Sequence, residues 1–281
     1  MKKEWQDILD RVELLYRESR DEAYTLWFRG QRCAKWPLRS TLHRRVEAQF
    51  EAIDDPSTAL ENKQRLLREE YKSAFYLFKT DALPLLESHE RTDWGIVFSM
   101  QHHGMPTRLL DWTESFICAL FFAQADREEG EHAAVFALKA DQLNKISTGR
   151  EGLISPIEDQ AVGTSIQLTK WLPAYLPTGT DSPLGTIAIL PPRSNPRMLS
   201  QRATFTVCGD SFSPLEDEYS SCVTKIVLPV SLFDDAESFI ELVGIGPYSY
   251  FPDFEGLAMR FRQKNRSELR LVRRMLSKGS P

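Results

Sequence analysis

The chain has 281 residues, of which 42% are hydrophobic and 27% charged, enough apolar material for one large core; it is long for one domain and short for two. A formal net charge of −5 argues against a general affinity for nucleic acid or anionic membrane and leaves room only for local basic patches. No stretch approaches the roughly 18–20 uninterrupted apolar residues of a membrane span. Acidic residues interrupt the apolar positions of MKKEWQDILDRVELL, so the start does not read as a secretory signal. Cys33, Cys118, Cys208 and Cys222 lack CxxC spacing, which predicts neither a disulfide framework nor a metal site. The expected location is the cytoplasm, with no membrane partner.

Trp5, Ile8, Val12 and Leu15 recur at helical spacing and predict an N-terminal helix over about 1–20. YTLWFRG reads as a strand entering a turn at Gly30. The basic segment QRCAKWPLRSTLHRR is irregular, with a short helix starting near Thr41. Leu66, Leu67, Tyr71, Phe75 and Phe78 predict a helix over 61–80, and DWGIVFSMQHH predicts another, capped by Asp93 and ended by Gly104 and Pro106. A further helix is expected after Asp111 or Thr113, running through the apolar FICALFFA, with Cys118 as a buried small hydrophobe. AAVFALK reads as a strand, 141–185 as a poorly periodic excursion, and GTIAILPP, ATFTVCG and CVTKIVLPV as strands. Helices at SFIELVGI and over the basic stretch 259–281 close the chain. Early helices and late strands predict an α+β single domain, its mixed or antiparallel sheet flanked by helices.

Four clusters carry chemistry. In FRGQ, Phe28 to Gln31, an arginine at a strand end presents a fork that matches phosphate or carboxylate, and Gly30 permits close backbone approach; the bland alternative is a sheet-edge salt bridge and a turn. In QHHGMPTRLLDW, His102 and His103 are adjacent, so on a helix they point about 100° apart and at most one faces inward. Thr107 can cap or bond a carboxylate, and Asp111 suits an N-cap. Two readings stand level here. In one, Asp111 caps, Arg108 pairs with Asp111 and Trp112 covers the core; in the other, a helix N-terminus beside Arg108 and a histidine forms an anion pocket. In NPRMLSQRATFTV, Arg197, Gln201 and Arg202 precede a strand, and Gln201 can reach an amide or base edge. In YSYFPDFEGLA, Asp253 is a candidate cap and Glu255 a first-turn acid. The C-terminal run from Arg260 to Lys278 reads as a solvated helix face, or as a contact to a nucleic-acid backbone.

Taken together, WFRGQ with WPLRSTLHR, then QHHGMPTRLLDWTESFICALFFA, NPRMLSQRATFTV and YFPDFEGLA resemble the FRG domain family, named for its aromatic-Arg-Gly motif. The blocks fall in order across residues 27–258, and 21–258 is taken as the domain. His103 departs from an aromatic position of the pattern, and Ala203 from a glycine. The resemblance implies a bacterial or phage protein, often in a toxin-like or phage-defence setting.

The arrangement is also similar to that of ADP-ribosyltransferases. That likeness implies NAD as the nucleotide ligand, a protein or nucleic-acid acceptor, and an ADP-ribosyltransferase-like fold. Arg29 would then clamp the pyrophosphate or nicotinamide ribose, with Gly30 and Gln31 beside it. His102, Thr107, Arg108 and Asp111 would build the pocket wall, and Gln201 would lie at the late strand. No glutamate occupies 195–207, so Asp111 and Glu255 are the available acids. The implied catalytic set is Arg29, His102, Asp111 and Glu255, with no metal. The alternative is a nucleotide- or nucleic-acid-binding module without turnover.

Overall fold

In the first helix, α1 (Lys3–Asp21), Trp5, Ile8, Val12 and Leu15 are buried at intervals of three and four, as the amphipathic pattern requires. The computed structural model describes residues 2–51, 60–127, 130–149, 151–156, 172–179 and 185–262. After α1 come β1 (Leu26–Gln31), α2 (Thr41–Glu51), α3 (Leu60–Ala82) and α4 (Asp93–His102). β2 (Leu109–Thr113), α5 (Phe116–Gln124), β3 (Ala133–Lys139) and α6 (Ala140–Thr148) follow. The last third holds β4 (Ile187–Ile189), α7 (Pro196–Ser200), β5 (Ala203–Val207), α8 (Leu215–Glu218), β6 (Val223–Leu228), α9 (Phe233–Leu242) and α10 (Pro247–Tyr250). A final helical stretch occupies 254–262.

The strands form one sheet in the order β4-β5-β2-β1-β3-β6, and every neighbouring pair is antiparallel. Side chains alternate across it with period two. Leu26 and Phe28 join the core built with α1, α5 and α9, whereas Trp27 between them joins Leu110, Trp112, Phe136 and Leu143 on the opposite face. A third cluster packs α2, α3 and α4 against the β4–β5 end. The fold is therefore α+β with helices on both faces of an open antiparallel sheet, in agreement with the class expected from sequence.

Several local expectations change. LLDWT is a strand, β2, and not the approach to a helix; Asp111 sits in its middle opposite Phe205 and caps nothing. The apolar helix begins at Phe116, and its cap is Ser115, whose hydroxyl accepts the Cys118 N–H at 3.3 Å. Thr92 rather than Asp93 caps α4, accepting the Gly95 N–H at 3.0 Å, while Asp93 pairs with Lys79 at 2.9 Å. Residues 140–148 are helical, α9 starts at Phe233, and α2 runs for 11 residues. Asp253 does accept the Gly256 N–H at 3.0 Å, as expected of a cap. Much of the excursion over 141–185, and the basic run beyond residue 262, lie outside the described residues.

Candidate functional site

β1 pairs with β3 along its full length but meets β2 at a single register pair, Phe28 opposite Thr113. Past that pair the ladder stops, and a side chain takes its place. Arg29 Nη1 donates to the backbone carbonyl of Asp111 at 2.7 Å and lies 3.5 Å from Asp111 Oδ2. A cavity of about 730 Å³ opens at this break. Arg29, Gln31, Gln101, His102, Asp111 and Gln201 all line it.

The Asp111 carboxylate is held from two sides and is still 57% exposed. Gln101 Nε2 donates to its Oδ2 at 2.9 Å, and Gln101 Oε1 in turn accepts the Thr107 hydroxyl. Thr107 is fully buried and reaches the cleft only through Gln101, which makes it a positioning residue. Burial pulls the Arg29 guanidinium below its usual pKa and the Asp111 charge pulls it back; arginine stays cationic in either case. Three polar atoms on this strand are buried with no partner among the described residues: Trp27 Nε1, Arg29 Nε and Gln31 Oε1, of which the last two belong to residues that line the cavity. Buried polar groups are normally paired, so this donor and acceptor, two residues apart, leave unmet hydrogen-bonding capacity beside the cleft.

Gly30 lines the cavity and also serves a packing purpose. A Cβ there would fall 1.8 Å from the Ala119 carbonyl oxygen and 2.6 Å from the Ala123 nitrogen. The close approach is between β1 and the backbone of α5. The three letters of the motif thus divide: Phe28 is buried in the core, Arg29 faces the cleft, and Gly30 lets α5 dock.

His102 is exposed at the end of α4, with its ring 4.9 Å from that of His103. Partial burial, then the charge of Arg197 and then His103, lower its pKa, so the imidazole is neutral at neutral pH and able to accept a proton. Gln201 braces the wall: its Nε2 donates to the Tyr250 carbonyl at 3.1 Å, and its own carbonyl accepts the Thr113 hydroxyl at 2.6 Å. Cys118 also lines the cleft, but burial pushes its thiol up to about 12, so it is no nucleophile.

Besides Thr107, two of the expected residues do not reach the cavity. Arg108 is 3% exposed, pairs with Asp210 Oδ1 at 2.8 Å and donates to the Gly209 carbonyl at 2.9 Å. The expected Arg108–Asp111 pair is absent because Arg108 sits at a bend before β2 and its guanidinium is taken by Asp210 and the Gly209 carbonyl. Glu255 is exposed and touches the site only through Arg197, whose Nη1 lies 3.4 Å from Glu255 Oε2. Residues not foreseen as part of the cleft include Gln101, Trp36, Arg32 and Arg44. For Gln101 the only signal was its place beside two histidines; for the others it was the basic, aromatic character of QRCAKWPLRSTLHRR.

Four arginines, at 29, 32, 44 and 197, thus line the cavity against one carboxylate, Asp111, in a chain of net charge −5. Among the described residues, no three His, Cys, Asp or Glu side chains gather as a metal ion would require. No helix among them is long and apolar enough to cross a membrane. The sheet and its cleft define an α+β protein with an arginine-lined cavity at a break between two strands. Residues 24–132 match the family model of the FRG domain. Arg29, Gln101, His102 and Asp111 fall inside the match, while Gln201 and Glu255 lie beyond it. Neither a curated protein nor a solved structure matches the chain.

Proposed function

We propose that the cleft binds a nucleotide and that the protein is a group transferase of the ADP-ribosyltransferase type with NAD as donor. One observation carries this reading: four guanidinium groups and a single fixed carboxylate surround a cavity of about 730 Å³. That volume is in the range of small-molecule sites, and guanidinium forks suit phosphate oxygens. In the proposed reaction the bond between C1′ and the nicotinamide nitrogen breaks, and its electron pair leaves with nicotinamide. The cation left on the ribose is stabilised by Asp111, which Gln101 and Arg29 hold in advance. An acceptor hydroxyl or amine then gives its lone pair to C1′ and its proton to the neutral His102. Glu255 stands one arginine away and does not enter this scheme.

Binding without turnover is the second reading. It is favoured by the Asp111 carboxylate being already shared between Gln101 and Arg29, which reduces its field at a substrate. One experiment separates the two. Purified protein is incubated with NAD, alone and with cell lysate, and free nicotinamide is measured beside the thermal midpoint with and without ADP. Nicotinamide release abolished in Asp111→Asn and Arg29→Lys supports the transferase. A raised midpoint with intact NAD supports the binding module, and neither effect removes both readings. A toxin or phage-defence role predicts growth arrest on expression, relieved by Arg29→Ala.

A further inference from the structure

Resting on the nucleotide reading of the cleft, we infer that Trp36 is the stacking platform for a purine base, which fixes the direction in which the nucleotide lies. The indole lines the cavity and is 45% exposed, whereas Trp5, Trp27, Trp94 and Trp112 are each at most 6% exposed. It is not on a loose loop. Two residues before it, Ala34 N–H donates to the His132 carbonyl at 2.6 Å; two residues after it, Leu38 is 1% exposed and its N–H donates to Glu216 Oε2 at 3.0 Å. Trp36 N–H itself closes a turn onto the Cys33 carbonyl at 3.3 Å. A large aromatic surface is therefore held open to solvent by anchors on both sides, an arrangement that orders the platform before a ligand arrives.

The charges around the ring suit a nucleoside phosphate. The Arg32 guanidinium lies over one face of the Trp36 ring, 5.1 Å from its centroid, which leaves the other face for the base, and it has no carboxylate partner among the described residues. Arg44, also lining the cavity, donates through Nη1 to the Arg39 carbonyl at 2.8 Å, and its charge acts on Arg29. With the base on Trp36, the phosphates run past Arg32 and Arg44 toward Arg29. The distal ribose then lies at Asp111 and Gln101. A purine covers more of the indole than a pyrimidine, and base–aromatic stacking is strong enough to set the preference.

The test is calorimetric titration of wild-type protein, Trp36→Ala and Trp36→Phe with ADP, UDP and ribose 5-phosphate. Thermal midpoints confirm that the variants fold. Wild type should bind ADP more tightly than UDP, and both more tightly than ribose 5-phosphate. Trp36→Ala should weaken ADP by about tenfold or more, bring ADP and UDP together, and leave ribose 5-phosphate unchanged. Trp36→Phe should keep most of the ADP affinity. Equal ADP affinity in wild type and Trp36→Ala would overturn the platform while leaving the nucleotide reading in place. Wild type that binds none of the three would overturn the nucleotide reading, and the platform with it.

Discussion

Arg29 and Gly30 are neighbours with opposite duties, and substitution separates them. Gly30→Ala would drive a methyl group into the Ala119 carbonyl and the Ala123 nitrogen, backbone atoms that yield only if α5 lifts off β1. We expect a loss of about 3 kcal/mol or more in urea unfolding. Gly104 is a control: its φ is +75° and a Cβ would meet nothing within 4 Å, so Gly104→Ala should cost only about 1–2 kcal/mol of left-handed strain. Asp210 tests the placement of Arg108 in the same way. Removing its carboxylate leaves the buried Arg108 guanidinium without its counter-ion, 2.8 Å away in the native fold. Asp210→Ala should therefore lower stability by about 3–5 kcal/mol. Because Arg108 does not line the cleft, ADP affinity measured where the variant is folded should change less than twofold. A large fall in affinity would return Arg108 to the binding site.

At the scale of elements, side chains complete the sheet where backbone pairing gives out. β4 has three residues, and Asn144 of α6 acts as a strand partner for its centre. Asn144 Oδ1 accepts the Ala188 N–H at 2.7 Å, and its Nδ2 donates to the Ala188 carbonyl at 2.9 Å. Asn144→Leu leaves both backbone groups buried and unpaired, at roughly 1–3 kcal/mol each. Hydrogen exchange should show the Ala188 amide losing protection before those of β1 and β3. The same scale explains what could be read in advance. β1, β3, β5 and β6 were legible because aromatic and β-branched runs end at Gly, Pro or charged turns. β2 was not, since LLDWT is short and abuts FICALFFA, so its apolar residues merged with those of α5. Arg29 and Asp111 were legible as chemical types, but their partnership was not. It depends on β1 and β2 sharing a single register pair, and that is decided by what packs on either side of the two strands. For the same reason Arg108, next to Asp111 on paper, belongs to a different network.

For the molecule as a whole, the proposed nucleotide site, a cationic cleft in an acidic chain, predicts an affinity that falls with added salt, while a buried histidine sets how stability responds to pH. His43 joins α2 to the loop after β5 and is 2% exposed. Its Nε2 lies 3.1 Å from the Gly209 carbonyl, which can only accept, so Nε2 carries the hydrogen. Nδ1, 2.8 Å from the Ser40 hydroxyl, is then the acceptor. Burial, with the charge of Arg108 adding to it, pushes the folded pKa down from 6.5 to about 3. Between those values the unfolded chain takes up a proton that the folded chain refuses. The contribution of neutral His43 is therefore complete above pH 6.5 and declines as pH falls toward 3, by about 1.4 kcal/mol per unit. Comparing urea unfolding at pH 7.5 and pH 5 should show wild type losing about 2 kcal/mol more than His43→Gln, which has no proton to gain. Equal losses in the two proteins would mean that His43 is protonated in the fold, and that the Ser40–His43–Gly209 link is not made by a neutral ring.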